Sequence, residues 1–78
     1  MYNQKQIIDA IADSLALPPA DIDLEASLQD DLGLNPVEVA DLFESLSQKF
    51  KIMFDSAEAM QTKTINDLVE LIEDKLLE

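Results

Sequence analysis

The sequence predicts an all-α protein, a small four-helix bundle with a long first loop and a short third helix. Apolar residues recur at three- and four-residue spacings, which is the pattern of amphipathic helices. Strict alternation is absent and β-branched residues are scattered, so no segment is typical of a strand. The 78 residues are expected to form a single domain, spanning 1–78, because this length supports one modest core.

The first helix is predicted from an apolar stripe near the N-terminus. Asn3 can cap it, because its side-chain oxygen can accept from a free amide of the first turn. The helix is expected to end before Pro18, since Pro18 and Pro19 lack backbone donors and restrict the residue that precedes them. The stripe consists of Ile7, Ile8, Ile11 and Leu15.

A long connection is predicted from about Pro18 to Asn35. A structureless loop of this length would argue against the assignment, but apolar residues occur throughout it. The segment is therefore expected to lie against the core. These apolar anchors are Ile22, Leu24, Leu28, Leu32 and Leu34.

The second helix is predicted from Pro36 to about Phe50. Asn35 is a good N-cap, and Pro36 suits the first helical position, where a missing N–H costs nothing. Glu38 then falls at N3 and completes a capping box. The expected buried stripe is Val39, Leu42, Phe43, Leu46 and Phe50.

Two further helices are predicted in the C-terminal third of the chain. A short one starts at Asp55-Ser56-Ala57-Glu58 and runs to about Met60. The last begins after Thr64, with Asp67 at N3 in a second capping box. Its expected stripe is Ile65, Leu68, Val69, Ile72 and Leu76, with Leu71 beside it.

The composition excludes several function classes. The chain has 17 Asp plus Glu against 5 Lys, a net charge of −12, which disfavours nucleic acid and favours a basic protein partner. It has no cysteine and no histidine, so neither an enzyme nor a metal site is expected. No membrane span and no signal peptide is evident, and a cytoplasmic monomer is the expectation.

The chain is identified as a member of the acyl carrier protein family by motifs at fixed spacing from Ile7 to Leu76. Asp31-Leu32-Gly33 matches the turn before the family's modified serine, and Phe50-x-Ile52 matches the exit from its second helix. Thr64-Ile65-x-Asp67-Leu68 resembles the opening of its last helix.

The family's serine carries a 4'-phosphopantetheine arm, and the resemblance places Pro36 at that position. Phosphopantetheinyl transfer needs a hydroxyl oxygen as nucleophile, and proline has none. The chain is therefore expected to have no cofactor, because the phosphopantetheine site is lost.

The resemblance also implies a docking face and an acyl pocket. Glu38, Asp41 and Glu44 on the second helix are predicted to steer docking on a basic patch of a synthase or acyltransferase in fatty-acid biosynthesis or polyketide metabolism. Adaptable side chains could line an acyl pocket, although such residues are more often simply core. These candidates are Phe43, Met53, Phe54 and Met60.

Two alternative functions stay open at this point. One is an acyl carrier protein whose arm is attached elsewhere, or whose serine was removed by protein engineering. The other is a bundle that binds an acyl chain or lipid noncovalently.

Overall fold

The computed structural model describes residues 2–77 and confirms the all-α prediction. Helix α1 spans Gln4–Leu15, α2 spans Pro36–Phe50, α3 spans Ser56–Gln61 and α4 spans Ile65–Leu76. One 3-10 turn, Pro19–Asp21, interrupts the long first loop. No strand forms between residues 2 and 77, where an isolated bridge between Ser27 and Thr64 is the sole β-type pairing.

Every one of these four helices starts at a capping box, which explains why their first residues agree with the sequence prediction. At α2 the Glu38 N–H donates to Asn35 Oδ1 over 2.8 Å, and the Asn35 N–H donates to Glu38 Oε1 over 3.0 Å. This pairing satisfies amides that a helix otherwise leaves without a partner. The N-caps of the four helices are Asn3, Asn35, Asp55 and Thr64.

Helix α1 ends before Pro18 and α2 ends at Phe50, both as predicted, but the conformation of their C-caps was not predicted. Ala16 (φ 59°) and Lys51 (φ 57°) occupy the left-handed region, although glycine is the residue that adopts it without steric cost. The chain has one glycine, Gly33 (φ 68°), and it lies in the loop before α2.

The core is one cluster to which α1, α2, α4 and the long loop all contribute. Leu28 brings the loop into it and is 1% exposed. Two backbone hydrogen bonds tie this part of the loop to the start of α4: the Leu28 N–H donates to Lys63 O over 2.9 Å, and the Ile65 N–H donates to Ala26 O over 3.0 Å. The loop is therefore pinned across the bundle, as predicted. The cluster consists of Ile7, Ile11, Leu28, Leu42, Phe43, Leu46, Phe50, Ile65, Leu68, Val69 and Ile72.

Helix α3 has no fully buried residue; Ala59 packs against the core and an ion pair joins the helix to α4. Glu58 Oε1 lies 2.9 Å from Lys75 Nζ on α4, and both side chains are largely shielded from solvent. The same ammonium lies 5.7 Å from the centre of the Phe54 ring, a distance at which a cation–π contact is favourable. Lys75 thus joins α3 and the segment before it to α4.

None of the helices in the described part of the chain is long and apolar enough to cross a membrane.

Candidate functional site

An open groove of about 470 Å³ lies between α2 and α3. This volume is within the range of about 300–1,000 Å³ that small-molecule sites occupy. All four residues proposed from the sequence as an acyl pocket line it. They are Phe43, Met53, Phe54 and Met60.

These four side chains have different environments. The Phe43 and Phe54 rings meet edge to face, with their centres 4.9 Å apart and their planes at 80°. Phe43 belongs to the buried core, so it is both a core residue and part of the floor of the groove. Met53 and Met60 are 84% and 79% exposed, and they form an apolar rim in contact with solvent.

A second cavity, of about 390 Å³, adjoins the groove. It shares four lining residues with the first groove, and three of them were not predicted as site residues. Gln29 comes from the long loop, Val39 from α2 and Ala59 from α3; Met60 is the fourth. Helical periodicity identifies Val39 only as a stripe residue, and nothing in the local sequence connects Gln29 with α3.

The three proposed docking residues are exposed on α2. They do not have equivalent surroundings, because Glu38 Oε1 accepts the N–H of Asn35 in the capping box and Glu44 lines the groove. Asp41 makes no hydrogen bond within the described chain. Among residues 2–77 no group of three or more metal-ligating side chains is close enough to hold an ion.

Two carboxyl groups have lowered pKa values, and both lie in ion pairs between helices. The Asp55 N–H, which donates to Glu58 Oε1 over 3.0 Å, and then Lys75, lower the pKa of Glu58. The hydrogen bond from Lys49 lowers the pKa of Asp13. Both shifts favour the charged carboxylate, which is typical of a structural ion pair and not of a general acid.

Pro36 begins α2 and lines the groove together with two serines, Ser47 and Ser56. The proline ring offers no oxygen to which a phosphoryl group can be attached. The Ser47 hydroxyl donates to the Ile52 carbonyl. Ser56 is exposed and its hydroxyl has no hydrogen-bond partner in the structure of residues 2–77.

The chain is similar in sequence to known proteins over almost its whole length. The family model for a phosphopantetheine attachment site matches residues 5–72. An acyl carrier protein of Amoebophilus asiaticus is 37% identical over 76 residues, which cover 97% of this chain and 94% of that protein. One from Exiguobacterium sibiricum is 38% identical over 65 residues, covering 83% and 82% of the two chains.

A similar fold is known from a solved structure. A Mycobacterium tuberculosis protein described as an acyl carrier protein superposes with a TM-score of 0.72 and covers 96% of both chains, at 22% sequence identity. At that identity the match concerns the fold alone.

The sequence-based expectation that the chain has no cofactor is wrong. The family model that matches is that of a phosphopantetheine attachment site, and its relatives are named acyl carrier proteins, so 4'-phosphopantetheine is the cofactor that the family indicates. The expectation was drawn from Pro36 and from the fact that Ser27, Ser45, Ser47 and Ser56 do not lie at the loop-to-helix junction before α2. Pro36 itself has no hydroxyl to which the group could be attached.

The match over residues 5–72 and the sequence identities of the relatives are sufficient to show the family. The chain belongs to the acyl carrier protein family, whose members are carriers and not enzymes.

Proposed function

We propose that this chain is an acyl carrier module that docks through α2 on a basic patch of a synthase or acyltransferase in fatty-acid or polyketide-type metabolism. The observation that carries the proposal is the charge distribution of α2. From Pro36 to Gln48 it presents Glu38, Asp41 and Glu44 to solvent and contains no basic residue.

The placement of the lysines supports this proposal. Lys5 and Lys49 are paired with Asp9 and Asp13, and Lys75 is paired with Glu58. These pairs leave the acids of α2 uncompensated in a chain of net charge −12. Complementary charge of this kind raises association rates, by an amount that falls with ionic strength.

Apolar side chains beside the acids supply the contact area that charges alone lack. Val37 is 69% exposed in the first turn of α2, and Met53 and Met60 protrude at the rim of the groove. Interfaces commonly place apolar anchors at the centre and charges at the edge. We expect this apolar rim to contact the partner while the acids orient the approach.

The test neutralises the three acids without disturbing the helix. The variant combines Glu38→Gln, Asp41→Asn and Glu44→Gln, because glutamine keeps the oxygen that accepts the Asn35 N–H. The matched control, which removes the same number of charges away from α2 and the groove, combines Glu25→Gln, Glu70→Gln and Asp74→Asn.

Binding to a synthase or acyltransferase of the same organism is measured by surface plasmon resonance at low and moderate salt. We expect the α2 variant to associate about tenfold more slowly at low salt, with the difference shrinking once the Debye length is about 8 Å at physiological ionic strength. The association rate of the control variant should fall much less. Equal losses in both variants would mean that net charge, and not the α2 face, determines binding.

The groove favours a second activity, the noncovalent sheltering of an acyl chain. It is large enough, and Met53 and Met60 can repack around a flexible ligand. A medium-chain fatty acid should shift the NMR signals of Phe43, Met53 and Met60 and leave Tyr2 unchanged, since Tyr2 packs on Phe50 beside a different cavity. Unchanged Phe43 and methionine signals would exclude this activity.

A further inference from the structure

We propose that Lys75 is a latch that holds α3 in place as a lid over the passage between the groove and the second cavity. When the ion pair of Lys75 opens, α3 moves outward, and the groove and the second cavity become one chamber that accepts a longer apolar chain. The proposal rests on the noncovalent sheltering of an acyl chain proposed above. The attachment of α3 itself can be measured without any ligand.

Helix α3 forms one side of the wall between the groove and the second cavity. Ala59 and Met60 of α3 line both spaces, together with Val39 of α2 and Gln29 of the long loop. The two spaces have volumes of about 470 and 390 Å³. Because the shared residues come from three separate segments, displacement of one segment is enough to join the spaces.

Helix α3 is the least anchored of the four helices in the described part of the chain. It spans six residues and has no fully buried side chain, whereas α1, α2 and α4 each bury at least three. Ala59 is the α3 residue that packs against the core. A segment with few buried apolar contacts opens locally at a low free energy. We therefore expect α3 to open before the other helices.

The ion pair with Lys75 supplies an attachment that burial does not. Lys75 Nζ lies 2.9 Å from Glu58 Oε1, and the side chains are 18% and 29% exposed, so salt screens this pair less than a fully exposed one. The same Glu58 oxygen accepts the Asp55 N–H over 3.0 Å, which connects the pair to the start of α3. Lys75 Nζ also lies 5.7 Å from the centre of the Phe54 ring, which lines the groove just before α3. One side chain of α4 thus holds both the lid and the segment that leads into it.

The ion pair can be changed without changing the walls of the two spaces, because neither Glu58 nor Lys75 lines them. Lys75→Met removes the cation, and Lys75→Arg keeps it. Glu58→Gln removes the anion but retains an oxygen for the Asp55 N–H. The matched control is Lys49→Met, which removes the same charge and breaks the pair between Lys49 Nζ and Asp13 Oδ2, 2.7 Å apart, that joins α2 to α1.

Amide hydrogen exchange followed by NMR at pH 7 tests the latch. The Ala59 N–H donates to Asp55 O and the Thr62 N–H donates to Glu58 O, so both amides report the opening of α3. We expect them to exchange about fivefold faster in Lys75→Met and in Glu58→Gln. Lys75→Arg and Lys49→Met should leave them within about twofold, since α3 opens with the Lys49 pair intact. Unchanged exchange in Lys75→Met, or equal acceleration in Lys49→Met, would overturn the proposal.

Calorimetric titration with octanoate and dodecanoate tests whether the latch controls access to the second cavity. A minor open state that becomes about fivefold more populated tightens binding of its ligand by the same factor. Lys75→Met should therefore bind dodecanoate about fivefold more tightly and octanoate within about twofold of the original chain. Equal tightening for both fatty acids would refute the control of chain length. If neither fatty acid binds to any variant, the sheltering activity is wrong, and the exchange rates still decide whether Lys75 latches α3.

Discussion

Replacing Pro36 by serine should weaken the start of α2 while supplying the hydroxyl that the position lacks. Pro36 is the first residue of the helix, and its missing N–H is one that no helical carbonyl would accept. The ring therefore stabilises the protein chiefly by restricting the unfolded chain. A proline at a compatible position contributes about 0.4–1 kcal/mol in this way.

The expected loss can be converted into a measurable shift. A change of 1 kcal/mol moves the Tm of a domain of this size by about 4–8 °C, so Pro36→Ser should lower Tm by about 2–8 °C. Thermal unfolding followed by far-UV circular dichroism measures this directly. Urea unfolding should show a lower midpoint with an unchanged slope, since the folded state keeps its compactness.

Two control variants separate the ring from other effects. Pro36→Ala should lose about as much as Pro36→Ser, because neither has a restricted φ. Asn35→Ala removes the neighbouring cap acceptor of the Glu38 N–H and should cost about 1 kcal/mol by a different mechanism. A Pro36→Ser variant as stable as the original, while Pro36→Ala is weakened, would refute the reasoning and assign the stability to a side-chain hydrogen bond.

Three further predictions follow from the helix ends and ion pairs. Lys51→Gly should raise stability by about 0.5 kcal/mol, because glycine relieves a left-handed strain of about 1–2 kcal/mol but makes the unfolded chain more flexible. Lys51→Ala is the control, and the Lys51→Gly variant must have a higher Tm than the Lys51→Ala variant. Lys75→Met should destabilise the protein at pH 7, because it removes the partner of Glu58 and leaves the apolar stem. This deficit should shrink as pH falls below the ordinary Glu58 pKa of 4.5, because the folded pKa is lowered and protonation removes the carboxylate from the pair. Urea midpoints of both proteins from pH 7 to acid measure it, and a deficit that grows on acidification would contradict the assignment.

The helix boundaries were predictable because their signals are local. Asn3, Asn35, Asp55 and Thr64 lie where short-range capping bonds form, and each bond joins residues three positions apart. The apolar stripes were predictable for the same reason, since helical periodicity determines which side chains share a face. The left-handed conformation of the C-caps Ala16 and Lys51 was not predictable, because neither residue type favours it.

The candidate site was only partly predictable. Phe43, Met53, Phe54 and Met60 were proposed together through a family resemblance, and the structure places them on one groove. Which of them form the floor of the groove and which form its rim depends on how the helices pack. The same is true of Gln29, which lines the groove from the long loop. The expectation of no cofactor was wrong because it rested on the missing hydroxyl at position 36, whereas the family model and the relatives indicate 4'-phosphopantetheine.

The sequence by itself determined the four helices, their starts, the acidic character of α2 and the absence of a hydroxyl at position 36. Each depends on residues close together in the chain. The tertiary structure alone decided that Lys75 joins α3 to α4 through Glu58 and that Ser56 and Pro36 share a groove. Residues 17 to 20 positions apart meet only when helices pack, and no local pattern encodes that distance.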